Sequence, residues 1–300
     1  MDARGDRVAL AAFVTGSVLA GGNAVGVRFS NRELEPLWGA GLRFAVAGFL
    51  LLAAVGALRL TLPSGRGLTG ALLYGALNFG AAFALAYYGL VRVHAGLGQT
   101  LLAVVPLATL LLAVLHRQER LRGDALVGAA VAVAGIAVMS RAPLREDIPL
   151  SSLLALLGSG LCFAEAAVVV RRFPPVHPVT MNAIGMTAAG ALLVPLALLA
   201  GEPIELPRRA ETWFALSYLV AVGSVLVFVL YVVVLARWEA SRAAYTFVLV
   251  PVVTVALSTW LDDEPVRASL VGGGLLVLAG VYVGALRRRP GGEAPTPPRG

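Results

Sequence analysis

The residues of this chain that could do chemistry are polar side chains set inside long apolar runs. Asn23, Arg43, Tyr87, Tyr88, Gln99 and Thr100 make one group, and Glu165, Tyr231, Tyr245 and Thr246 make another. A polar group placed in hydrocarbon is costly, so binding, gating and charge transfer are its usual reasons to be there. An arginine and a glutamate in such positions offer two electrostatic poles for one small polar or zwitterionic solute. Covalent chemistry has little to work with. The H-E-x-x-H and G-x-S-x-G patterns are absent, and Asp262-Asp263-Glu264 stands in a short loop with no second acidic motif. Cys162 is the single cysteine, and His94, His116 and His177 lie far apart in sequence, so neither a metal site nor a catalytic residue is expected. No cofactor motif occurs.

The elements that must hold these groups are membrane helices. The chain has 300 residues, of which 58% are hydrophobic and 14% charged, with a mean hydropathy of +0.83. Soluble domains carry roughly 25% charged residues. Apolar runs of about 20 residues recur throughout, each enough to cross roughly 30 Å of hydrocarbon as a helix. The shorter alternating segments of a barrel are missing. Ten spans are expected, near 8–27, 37–58, 68–90, 95–115, 125–140, 150–170, 179–200, 212–235, 243–261 and 268–286. The first reads as a span rather than a signal peptide, since it is long and ends on Gly21-Gly22-Asn23 without a small-residue cleavage site. The tail beyond Arg289 is rich in Pro and Gly and is expected to be disordered.

All 24 basic residues are Arg, and the net charge is +7. They lie between apolar runs rather than among aromatics, which excludes nucleic acid as the expected partner. With the N-terminus inside, fifteen Arg fall on the cytoplasmic side and eight outside, which predicts both termini cytoplasmic in a multi-pass inner-membrane protein. Asn23 and Arg43 then lie toward the outer side, Arg43 about 9 Å in at 1.5 Å per residue. Glu165 lies toward the inner side, with Tyr231, Tyr245 and Thr246. That depth leaves about 13 Å between Arg43 and Glu165, too far for a direct ion pair.

The chain repeats itself. Pro106 and Pro251, Glu119 and Glu264, Gly128 and Gly273, and Gly135 and Gly280 all stand 145 residues apart. Asn23 and Glu165, Pro36 and Pro178, and Gly48 and Gly190 stand 142 apart, so a short insertion separates the two sets. Five spans per half is an odd number, so the second half must cross the membrane in the opposite sense. Pro106 and Pro251 are expected to kink their helices as hinges. Glu119 and Glu264 are expected to cap or staple their hairpins. The positions that break the repeat, Arg43 against Gly185 and Asn23 against Glu165, are where substrate choice should be written.

Pro106…Glu119-Arg120-Leu121…Gly128…Gly135 and Pro251…Asp263-Glu264-Pro265…Gly273…Gly280, with Gly22-Asn23 and Leu42-Arg43-Phe44, resemble the EamA-type family of the drug/metabolite transporter superfamily. The family's Trp before the Gly-x-Asn element is missing. The resemblance implies an all-α integral membrane protein with ten transmembrane helices in two inverted five-helix repeats, over 1–145 and 146–287, with 288–300 a cytoplasmic tail. It implies alternating access around a cavity walled by spans one, three, four, six, eight and nine. Export of an amino acid or related polar metabolite is the expected function. Import of a metabolite or of a drug- or lipid-like solute and, remotely, an intramembrane lipid-modifying enzyme are the alternatives. The expected partners are the small-molecule substrate, membrane lipids and a coupling proton, in a monomer or homodimer.

Overall fold

A computed structural model of the full chain describes residues 3–118, 123–145, 148–227, 230, 234 and 246–283. Helices α1 (Ala3–Ser30), α2 (Pro36–Ala57), α3 (Gly65–Gly75) and α4 (Ala82–Arg92) come first, with a π-helical stretch, π1 (Ala76–Ala81), joining α3 to α4. There follow α5 (Ala95–Leu102), α6 (Val105–Leu115) and α7 (Gly123–Arg145). The second half has α8 (Leu150–Val170), α9 (Pro178–Leu199), α10 (Ala210–Ser217), a second π-helical stretch π2 (Tyr218–Leu226), α11 (Thr246–Leu261) and α12 (Ala268–Val281). Glu119, Tyr231, Tyr245 and the tail from 284 lie outside the described residues.

The chain is an all-helical membrane protein. Six helices are long and apolar enough to cross a bilayer, and four shorter apolar helices, Leu126–Val138, Ala210–Leu226, Leu249–Leu261 and Ala268–Val281, accompany them among the described residues. Proline sets several starts. Pro36 and Pro178 occupy the first turns of α2 and α9, where the missing N–H costs nothing. Pro106 begins α6 just after a turn at Ala103–Val104, which divides the fourth span. Pro251 lies inside α11, and the helix continues through it. Gly201 turns the chain after α9 with φ of +75°, a conformation without penalty only for glycine.

Small residues let backbones meet where the hydrophobic effect cannot drive them together. A Cβ on Gly48 would stand 2.6 Å from Thr187 N, and one on Gly190 would stand 2.7 Å from Ala45 N. Thr187 is Ala45 advanced by 142, so α2 and α9 make the same contact twice with roles exchanged. Helices α7 and α12 do likewise. A Cβ on Gly135 would meet Gly273 O at 2.6 Å, and one on Gly280 would meet Gly128 O at 2.5 Å. Reciprocal contacts of this kind are what a two-fold relation between halves produces. Gly22 and Gly26 pack on Tyr218 and Leu219, so this G-x-x-x-G pair serves a contact within the chain.

Candidate functional site

Arg43 is the largest fully buried side chain of the molecule, with 1% of its surface exposed. Leaving an ion in such a place costs several kcal/mol unless it is hydrogen-bonded. Its Nε donates to Ser224 Oγ at 3.0 Å, and its Nη2 donates to Asn23 Oδ1 at 3.1 Å. The guanidinium lies 4.9 Å from the ring centre of Phe83 and 5.1 Å from that of Phe44. These are cation–π distances. No carboxylate pairs with Arg43 among the described residues. The Tyr87 hydroxyl lies beside the guanidinium, and neither it nor Nη1 makes a hydrogen bond of good geometry there.

The π-helical turn explains how Ser224 reaches this site. Its hydroxyl donates to Leu219 O, five residues back, at 2.9 Å. That bond uses the hydroxyl proton and turns the oxygen's lone pairs toward Arg43. π-Helical turns are rare and cluster at functional sites. The two long ones match in register: Ala76–Ala81 advanced by 145 falls at 221–226, inside Tyr218–Leu226. Phe79 is therefore the counterpart of Ser224, as Gly185 is of Arg43. A Cβ on Gly185 would meet the Phe79 ring at 3.2 Å. One contact occurs in both halves, ionic in one and apolar in the other.

The second group is arranged differently. Glu165 Oε1 lies 3.0 Å from His116 Nε2, and both side chains are partly exposed. Arg172 Nη2 donates to the His116 carbonyl and Gln118 Nε2 to the Val168 carbonyl, so the end of α6 is tied to the end of α8. Arg43 and Glu165 have separate partners. Phe83 stands between their surroundings, packed on Phe44 at 4.8 Å and edge-on to Phe163 at 5.4 Å.

The remaining sequence candidates spread out. Tyr88 points away from Tyr87, is half-exposed and lies 3.4 Å from Ser151 Oγ. Thr100 is buried and donates to its own helix at Gly96 O, with its methyl toward Gly274. Gln99 is half-buried on the same helix. Tyr231, Tyr245 and the Thr246 side chain lie outside the described residues. Sequence reasoning missed Ser224, Phe83 and the His116–Glu165 pair. A lone Ser at the register where the other repeat holds Phe79 was the available signal for Ser224.

Glu264 lies beyond the helices. Its carboxylate accepts from Ala95 N at 2.7 Å and Gly96 N at 3.1 Å, capping the start of α5 rather than its own hairpin. Burial pushes its pKa up, but the His94 ring, these two N–H groups and Arg28 outweigh it and hold the carboxyl at about 2, below its ordinary 4.5. A small cavity of about 30 Å³ beside it is lined by His94, Leu97, Ser258, Glu264, Arg267 and Leu270, and lies away from Arg43.

The sequence matches the EamA-like transporter family over residues 7–141 and again over 150–285. The chain belongs to the EamA-like transporter family. The "Uncharacterized inner membrane transporter YedA" of Escherichia coli K12 is 29% identical over 259 residues, covering 86% of this chain and 84% of its own length. The "Probable terminal-alkyne amino-acid exporter" of Streptantibioticus cattleyicolor is 31% identical over 267 residues, covering 86% of each chain. A solved crystal structure shares the fold, with a TM-score of 0.65 at 20% identity over 93% of this chain and 96% of that one. This EamA-like protein is a multi-pass membrane transporter, not an enzyme.

Proposed function

We propose that this transporter exports an amino acid or a closely related carboxylate-bearing metabolite across the inner membrane by alternating access. The observation that carries the proposal is the buried Arg43, whose guanidinium has only neutral and aromatic partners among the described residues and whose Nη1 makes no hydrogen bond of good geometry with them. A guanidinium in that state gains most from a carboxylate, which it can bind through two N–H groups. The similarity to a relative named as an amino-acid exporter points the same way.

In this reading the chain crosses the membrane ten times, as five helices over 1–145 and five inverted helices over 146–287, with both termini cytoplasmic. Arg43 serves as the outer pole and holds the substrate carboxylate. Glu165 serves as the inner pole, with His116 as its partner. Pro106 and Pro251 mark bending points near Gln99 and Thr100 and near Tyr245 and Thr246.

The test is a counterflow screen of amino acids, amines and sugars in proteoliposomes, with and without a pH gradient. Accelerated exchange confined to carboxylate-bearing solutes is the expected result. Exchange of amines or sugars with none of amino acids would overturn the proposal.

A further inference from the structure

The face that carries Arg28 is laced by ion pairs. Arg28 Nε lies 2.8 Å from Asp262 Oδ2 and 3.1 Å from Glu264 Oε1, and its Nη1 donates to Val93 O at 2.9 Å. Arg32 binds the other oxygen of Asp262 and reaches Glu211 at 3.4 Å. Glu264 in turn holds the N–H groups of Ala95 and Gly96. Asp262 is central, because both arginines meet on it while its side chain is only 9% exposed.

These contacts tie together the ends of the helices that build the Arg43 site. Arg28 ends α1, which carries Asn23 five residues earlier. Val93 follows α4, which carries Phe83 and Tyr87. Glu211 opens α10, which runs on into the π turn with Ser224.

The repeat places different residues on the opposite face. Stepping back by 145, Asp262 becomes Arg117, Glu211 becomes Arg66 and Glu264 becomes Glu119. Stepping forward by 142, Arg28 becomes Val170 and Arg32 becomes Pro174, beside Arg171 and Arg172. The acid that joins two arginines on one face is itself an arginine on the other. Opposite charges favour closure on the Arg28 face.

We propose that the Arg28–Asp262–Arg32 cluster is the latch of the outer gate. The side assigned to the latch rests on the orientation given above; its role as a latch does not depend on the substrate.

Access to the site tests it without any substrate. In full-length protein with Cys162→Ser, Asn23→Cys places one thiol beside Arg43. A membrane-impermeant maleimide is applied to the outside of intact cells. Labelling should be slow with Asp262 present and about tenfold faster or more with Asp262→Asn, the scale of one lost charge-assisted contact. Arg208→Gln removes an exposed pair with Glu205 outside the cluster and should change nothing. If Asp262→Asn does not reach the membrane, Arg32→Gln removes one arm and should give a smaller acceleration. Equal labelling with and without the latch, or acceleration only with reagent on the cytoplasmic side, overturns the proposal. A failed amino-acid screen with accelerated labelling would leave the latch standing and reject the substrate alone.

Discussion

Arg43 and Ser224 stand 181 residues apart in sequence and 3.0 Å apart in space, joined from Nε to Oγ inside the bundle. The bond links α2 of the first half to the π-helical turn of the second. It occupies Nε, as Asn23 occupies Nη2, and Nη1 is the nitrogen without a hydrogen bond of good geometry among the described residues.

Ser224→Ala removes the acceptor of a buried N–H and should cost about 1–3 kcal/mol in stability. Ser224→Thr keeps the hydroxyl and should recover most of it. Thermal unfolding in detergent measures both. If Ala and Thr unfold at the same temperature as the parent protein, the bond does not hold Arg43.

Glu264 gives a signed pH dependence. Its folded pKa is depressed to about 2 from 4.5, so its contribution is complete above about pH 4.5 and is lost as pH falls toward 2. The shift corresponds to about 3 kcal/mol. Unfolding temperature measured in acid should fall through this window, and Glu264→Gln should flatten the fall. An unaltered profile in the variant would reject the capping role.

Glu165→Gln should abolish or decouple transport and leave expression unchanged, since the side chain is partly exposed and its one described ion-pair partner is His116. His116→Asn should slow transport without abolishing it. Normal transport in both variants would remove the pair from the mechanism.

The fold was legible because long apolar runs, Pro36 and Pro178, and the duplicated glycines each act through local rules. Gly48, Gly190, Gly135 and Gly280 marked the close helix contacts that the structure contains. Arg43 and Asn23 were legible as polar groups in an apolar setting. Their partners were not. A π turn differs from an α turn by one residue and leaves no mark on hydropathy, so the place of Ser224 was hidden. The partners of Arg28 and Arg32 were also hidden, because in sequence they look like any other loop arginines. Depth alone separated Arg43 from Glu165, but could not tell that His116 would meet the glutamate.

Arg43 is proposed to hold a substrate carboxylate. The direct measurement compares exchange of an amino acid with that of its carboxamide in proteoliposomes, for the parent protein and for Arg43→Met. Removing Arg43 leaves no described acid unpaired, so the variant should fold. The parent protein should prefer the acid by about tenfold or more, the scale of losing one charge-assisted pair, and Arg43→Met should treat the two alike. A preference for the acid that survives in Arg43→Met would contradict the account.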